Sequence, residues 1–150
     1  MKLYLFLALA IAIVVPAYAQ KMPKGVTYDA QILRVSDGDT VVISAPFLPA
    51  PLKPELAVRV YGVDTPEKGH RAQCPSEAQR GEAATAFTKN AIAQAAASGG
   101  KFQATLYGWD KFGGRVLGDI LVNGQSLRAA LIANGYAREY YGEAKQSWCN

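Results

Sequence analysis

The sequence predicts a mainly β chain of the α+β class: a small closed barrel of five strands with one long and one short helix. Three observations point there. Five short runs are rich in β-forming residues, turn residues punctuate them, and one alanine-rich segment of helical character follows the third run. At 150 residues the chain is sized for one domain, and no internal repeat, heptad or low-complexity tract divides it.

Residues 1–19 read as a secretory signal peptide. Lys2 is the lone positive charge, Leu3 to Val15 is unbroken and apolar, and Pro16 precedes Ala17-Tyr18-Ala19, where a signal peptidase would cut. The run stops short of the roughly 20 apolar residues of a membrane span. The mature chain, residues 20–150, is therefore expected to be secreted or periplasmic, monomeric and without stable membrane association.

Val26 to Val35 is rich in β-formers, breaks at Ser36-Asp37-Gly38-Asp39 and resumes at Thr40-Val41-Val42-Ile43, which is a hairpin signal. Pro46, Pro49, Pro51 and Pro54 make Ala45 to Pro54 a loop. Leu56 to Val63 alternates, with Leu56, Val58 and Val60 on one face and Arg59, Tyr61 and Val63 on the other. Pro75-Ser76-Glu77-Ala78-Gln79 starts the long helix, Ser76 serving as the cap and Gln79 returning the bond. It runs to about Ala97 with Ala84, Phe87, Ala91 and Ala95 along one side, and Gly99-Gly100 ends it.

Lys101 to Tyr107 and Val116 to Val122 are two further β-runs, separated by Asp110-Lys111-Phe112-Gly113-Gly114. After an Asn123-Gly124 turn, Ser126 caps a short helix over Leu127 to Ala133, stopped by Asn134-Gly135. Three strands, a helix, two strands and a helix is the order of an OB barrel. A β-grasp or an open α+β sheet shares that order.

Residue counts exclude several chemistries. One histidine, His70, cannot build an HExxH zinc site, and with only Cys74 and Cys149 it cannot complete a zinc tetrahedron. Any metal sits on oxygen. The formal charge of +4, one unit less without Lys2, favours acidic partners. Asp37 and Asp39 at the first turn, then Asp64 and Glu67 after the third strand, are placed to present hard oxygens to Ca²⁺ or Mg²⁺ if the two segments are neighbours. Taken alone, each acidic motif is also ordinary turn or strand-end chemistry.

The motifs V-S-D-G-D-T-V at 35–41, R-V-Y-G-V-D-T-P-E at 59–67, D-K-F-G-G-R-V-L-G at 110–118 and A-L-I-A-N-G-Y-A at 130–137 resemble, in order and spacing, the staphylococcal nuclease (thermonuclease) family. The resemblance runs from about Tyr28 to Tyr141. It implies an OB-fold, Ca²⁺-dependent hydrolase of phosphodiester bonds in DNA and RNA that leaves 3′-phosphate ends. By position, Asp39 and Asp64 match the calcium carboxylates and Thr65 the residue offering its backbone carbonyl. Glu67 matches the general base, and Arg59 and Arg115 the two arginines that hold the phosphate.

These roles make electrical sense on their own. A phosphodiester gains negative charge in the transition state, so positive charge belongs there, and arginine supplies it as a planar fork at any working pH. Three carboxylates against two arginines leave the site negative, which a divalent cation reverses.

The sequence departs from the family at Phe112, where a tyrosine is more usual, and in the extra glycine before Arg115. Lys111 and Phe112 remain expected substrate contacts. Tyr141, rather than the adjacent Tyr140, is the closer match to an aromatic residue that lines the nucleotide site. The chain ends at Asn150, where the family's prototype continues into a further helix, and a Cys74–Cys149 disulfide in an exported protein would secure that end. His70 reads as an exposed loop residue. The rival expectation is a non-catalytic OB module binding single strands, for which the full set Asp39, Arg59, Asp64, Glu67 and Arg115 would be superfluous.

Overall fold

The computed structural model describes residues 22–149, so the signal-peptide assignment at residues 1–19 lies outside the described residues. The strands are β1 (Val26–Asp29), β2 (Ile32–Asp37), β3 (Thr40–Ser44), β4 (Glu55–Val60) and β5 (Val63–Asp64), then β6 (Phe102–Trp109), β7 (Arg115–Val122), β8 (Gln125–Ser126) and β9 (Arg138–Glu139). A 3-10 turn at Gly69–Arg71 precedes helix α1 (Pro75–Ala97), and α2 (Leu127–Ala133) follows β8.

The expected first strand is divided in two, and the division shapes the sheet. Its order is β1-β6-β7-β4-β3-β2, with β4 and β7 parallel and the other neighbours antiparallel. The two ends of that order are consecutive pieces of chain. At the bend between them Ala30 N donates to Phe102 O of β6 at 2.9 Å, whereas Gln31 O accepts from Ser44 N of β3 at 2.9 Å. One bent segment thus pairs with β6 through its first half and β3 through its second, wrapping a mixed sheet as in an OB-like fold. No β1–β2 ladder closes it: the α+β class stands, while the expected closed five-stranded barrel is an open mixed sheet whose edge strands β1 and β2 are joined by the bend, with β8 paired to β7 and β5 and β9 forming a separate short pair.

Alternation along β4 is as the pattern requires: Leu56, Val58 and Val60 are buried with Val41, Ile43, Ile120, Leu127 and Leu131. Val63 departs from the expected outer face. Gly62, at φ +75°, turns the chain after Tyr61, and Val63 starts β5 fully buried. The β7–β8 hairpin is closed by Asn123 and Gly124, both at positive φ, as a two-residue turn demands.

Helix α1 is capped by Cys74, not Ser76: the Cys74 sulfur accepts from Glu77 N at 3.4 Å, and Pro75 occupies the first helical position, where its missing N–H costs nothing. Its buried stripe runs Gly81, Ala84, Thr85, Thr88, Ile92, Ala95. Phe87 and Ala91 flank that stripe, Phe87 stacking on Tyr136 with ring centroids 4.6 Å apart. Ser126 caps α2 as expected, accepting from Ala129 N at 3.1 Å. Among the described residues no helix is long and apolar enough to cross a membrane.

Candidate active site

Strand register brings the first acid and the first arginine together. Asp39 lies in the two-residue turn between β2 and β3, and Thr40 pairs with Arg59 across β3 and β4. The Asp39 carboxylate, 3% exposed, takes Arg59 Nη1 at 2.5 Å. Arg59 Nη2 reaches Val63 O at 3.5 Å, the carbonyl next to Asp64. A single guanidinium therefore spans from one proposed metal carboxylate to the backbone beside the other.

Parallel pairing adds the second arginine. Ala57 pairs with Arg115 and Arg59 with Leu117, so the two arginines stand on one face of adjacent strands. Arg115 Nη2 is held by Asp110 Oδ2 at 2.7 Å, and Asp110 is itself buried. Gly113 and Gly114 sit at φ +71° and +69° in this turn, a conformation that glycine adopts without strain. Arg115 starts β7 in register.

Helix α1 holds the acid-bearing segments from behind. A Cβ on Gly81 would lie 2.4 Å from Glu67 O and 2.8 Å from Pro66 O, and one on Gly38 would lie 2.8 Å from Ala84 Cβ. Thr88 donates its hydroxyl to Gly38 O at 2.7 Å, and the buried Glu77 carboxylate accepts from Glu67 N at 3.3 Å and Gln73 N at 2.7 Å. The helix stripe 81, 84, 88 thereby fixes both the Asp39 turn and the Glu67 loop. Asp37 is drawn away to Lys68 and Arg71, at 3.4 and 3.0 Å, and its carboxylate raises the already high pKa of the Arg71 guanidinium.

The C-terminal segment folds back over Asp64. Cys74 and Cys149 form the expected disulfide, with Cα atoms 5.9 Å apart. Next to it, Trp148 is buried and donates its indole N–H to Asp64 Oδ2 at 3.0 Å. Lys145 Nζ lies 2.6 Å from Asp64 Oδ1 and 3.9 Å from Glu67 Oε1. These groups, with Thr65, Arg71 and Gln73, line a cleft of about 270 Å³.

A divalent ion suits this donor set. Asp64 Oδ1 is buried, accepts no directed hydrogen bond and already faces a cationic nitrogen. Asp39 and Asp64 bring carboxylate oxygens and Thr65 a carbonyl, all hard donors. Among the described residues, Asp39, Asp64 and Glu67 do not gather as a cluster within 4.8 Å; the three-residue group that does is Cys74, Glu77 and Cys149, with its sulfurs spent in the disulfide.

The remaining expected contacts differ in setting. Lys111 and Phe112 project at the hairpin tip, the ammonium 5.0 Å from the ring centre and Phe112 76% exposed. Tyr141 is half-buried, edge-on to Tyr61, with its hydroxyl accepting from Arg128 Nη2 at 2.7 Å. His70 is exposed in the 3-10 turn. Asp110 opens the D-K-F-G-G-R-V-L-G motif, but nothing in the motif shows that it holds Arg115; Lys145 and Trp148 carry no local motif, and their one signal is their place within four residues of Cys149.

Residues 57–148 match the family model described as staphylococcal nuclease homologue. The match begins at β4 and includes Arg59, Asp64, Glu67 and Arg115, while Asp39 precedes it and joins the site through the Arg59 ion pair. No curated protein matches the chain.

Proposed function

The chain belongs to the staphylococcal nuclease homologue family, and from that premise we propose that it is an exported, Ca²⁺-dependent phosphodiester hydrolase acting on DNA and RNA with little sequence specificity and leaving 3′-phosphate ends. The family supports a nuclease and nucleic-acid substrates; the calcium, the two substrates and the export are our reading. What supports it is the Arg59 guanidinium, 2.5 Å from the buried Asp39 carboxylate and beside the backbone of the buried Asp64, a placement suited to gripping a phosphate.

Asp39, Asp64 and the Thr65 carbonyl would hold the ion. Bound there, Ca²⁺ supplies positive charge and Lewis acidity to the phosphate. Arg59 and Arg115 each engage a minority of their five N–H donors in the pairs described, and the others are suited to the non-bridging oxygens. Glu67, 38% exposed at its side chain and open to the cleft, takes a proton from the attacking water. The water oxygen bonds to phosphorus, the bond to the 5′-oxygen breaks, and that oxygen takes a proton from solvent water as it leaves, while Glu67 gives its own proton back to solvent.

The test is incubation of purified mature protein with single-stranded DNA and with RNA, in Ca²⁺ and then in EGTA. Cleavage of both in Ca²⁺ alone, with 3′-phosphate ends, is expected. Cleavage that persists in EGTA, or its absence in Ca²⁺, would overturn the proposal.

A further inference from the structure

Asp64 is held by a residue from the far end of the chain. An indole N–H is a donor only, at every pH, so its 3.0 Å contact defines Asp64 Oδ2 as the acceptor and leaves the buried Oδ1 to the Lys145 ammonium, 2.6 Å away. Trp148 is itself held at its ring, at its backbone and through the next residue. The Arg138 guanidinium lies 3.7 Å from the ring centre, the Trp148 carbonyl accepts from Arg80 Nη1 at 3.3 Å, and the disulfide anchors the next residue to the start of α1. Arg138 also pairs with Asp64 through the β5–β9 register and donates to Ser147 O at 2.9 Å, so the strap is tied to the strand that carries the acid.

Resting on the nuclease reading above, we propose that Trp148 is a positioning residue of the metal site. Its indole N–H orients the Asp64 carboxylate for a divalent cation, and the Cys74–Cys149 bond keeps it there. Partners that orient a metal ligand from behind are worth about 10- to 100-fold in metal affinity. Simple space-filling would place no demand on the N–H.

Calorimetric Ca²⁺ titration of the full mature chain with its disulfide intact, wild type against Trp148→Phe, tests this, with thermal unfolding in EGTA as the check on folding. Phenylalanine keeps an aromatic ring and removes the donor. A roughly tenfold or greater loss of Ca²⁺ affinity at an unchanged metal-free melting temperature is expected; equal affinity would overturn the inference and leave the nuclease reading intact. Should the wild type bind no Ca²⁺, both fall. If Trp148→Phe does not fold, Trp109→Phe, at a site 68% exposed, leaves Trp148 as the lone tryptophan. Its emission should then shift on Ca²⁺ addition, and unmoved emission at saturating Ca²⁺ would refute the role.

Discussion

Gly81→Ala is a substitution for which local and tertiary reasoning disagree in sign. A glycine inside a 23-residue helix is worth about 1 kcal/mol less than alanine, so helix propensity alone has the variant stabilised by that amount. The added Cβ, however, would stand 2.4 Å from the Glu67 carbonyl oxygen, where ordinary contact begins at 3.4 Å. About 1 Å of separation has to be created, and the atom struck is backbone. Overpacking of this kind costs about 1 to 3 kcal/mol, with rigid backbone toward the upper value.

The net expectation is a loss of about 2 kcal/mol in urea unfolding. The displaced residue is the proposed general base, and a misplacement near 1 Å can cost about 10² in rate. Turnover of single-stranded DNA at saturating Ca²⁺ should fall by that factor. A Gly81→Ala protein with unfolding free energy at or above wild type and undiminished turnover would refute the claim that α1 sets the position of Glu67.

Arg59→Lys and Arg115→Lys should each reduce kcat by about 10² or more, since a point charge replaces a two-pronged donor; near-normal turnover in steady-state assays would contradict the phosphate-holding roles. Lys145→Ala should tighten Ca²⁺ binding in calorimetry, because the ammonium 2.6 Å from Asp64 Oδ1 competes with the cation, and a weaker or equal affinity would count against that placement. Asp119 gives a pH dependence. Burial pushes its carboxyl above the ordinary range, against hydrogen bonds from Ser126 Oγ, Arg128 N and Ile120 N. The folded state then holds this proton more readily than the unfolded one, so its contribution weakens the fold as pH rises from the ordinary carboxylate value through the raised one and is recovered as pH falls back. A ¹³C titration of the Asp119 carboxyl should show a midpoint above ordinary aspartate, and Ser126→Ala should raise it further; a midpoint at or below the ordinary value would refute this.

Much of the fold was legible because the signals are short. Alternation marks Leu56, Val58 and Val60, the Asn123-Gly124 pair demands a two-residue hairpin turn, and Ser126 reads as a cap within three residues of its bond. The proposed site residues Asp39, Arg59, Asp64, Glu67 and Arg115 could be named from three of the four spaced motifs. Cys74 carries no legible cap signal, because a cysteine seldom fills that place and its sulfur is positioned by a partner 75 residues away. The division of β1 from β2 is hidden for a related reason: nothing within Val26–Asp37 records that Ala30 and Gln31 bond to different strands.

Residue types and their short-range order thus account for the turns, the caps, the inner face of β4 and the chemistry that the acids and arginines can perform. Assembly of the chain decided the rest. The tight seat of Gly81 against Glu67 and the grip of Trp148 on Asp64 join positions 14 and 84 residues apart. Contacts across long separations exist only after loop closure has brought the elements together, and no local pattern of side chains encodes which distant donor arrives. For Asp64, that donor came from the last residues of the described chain.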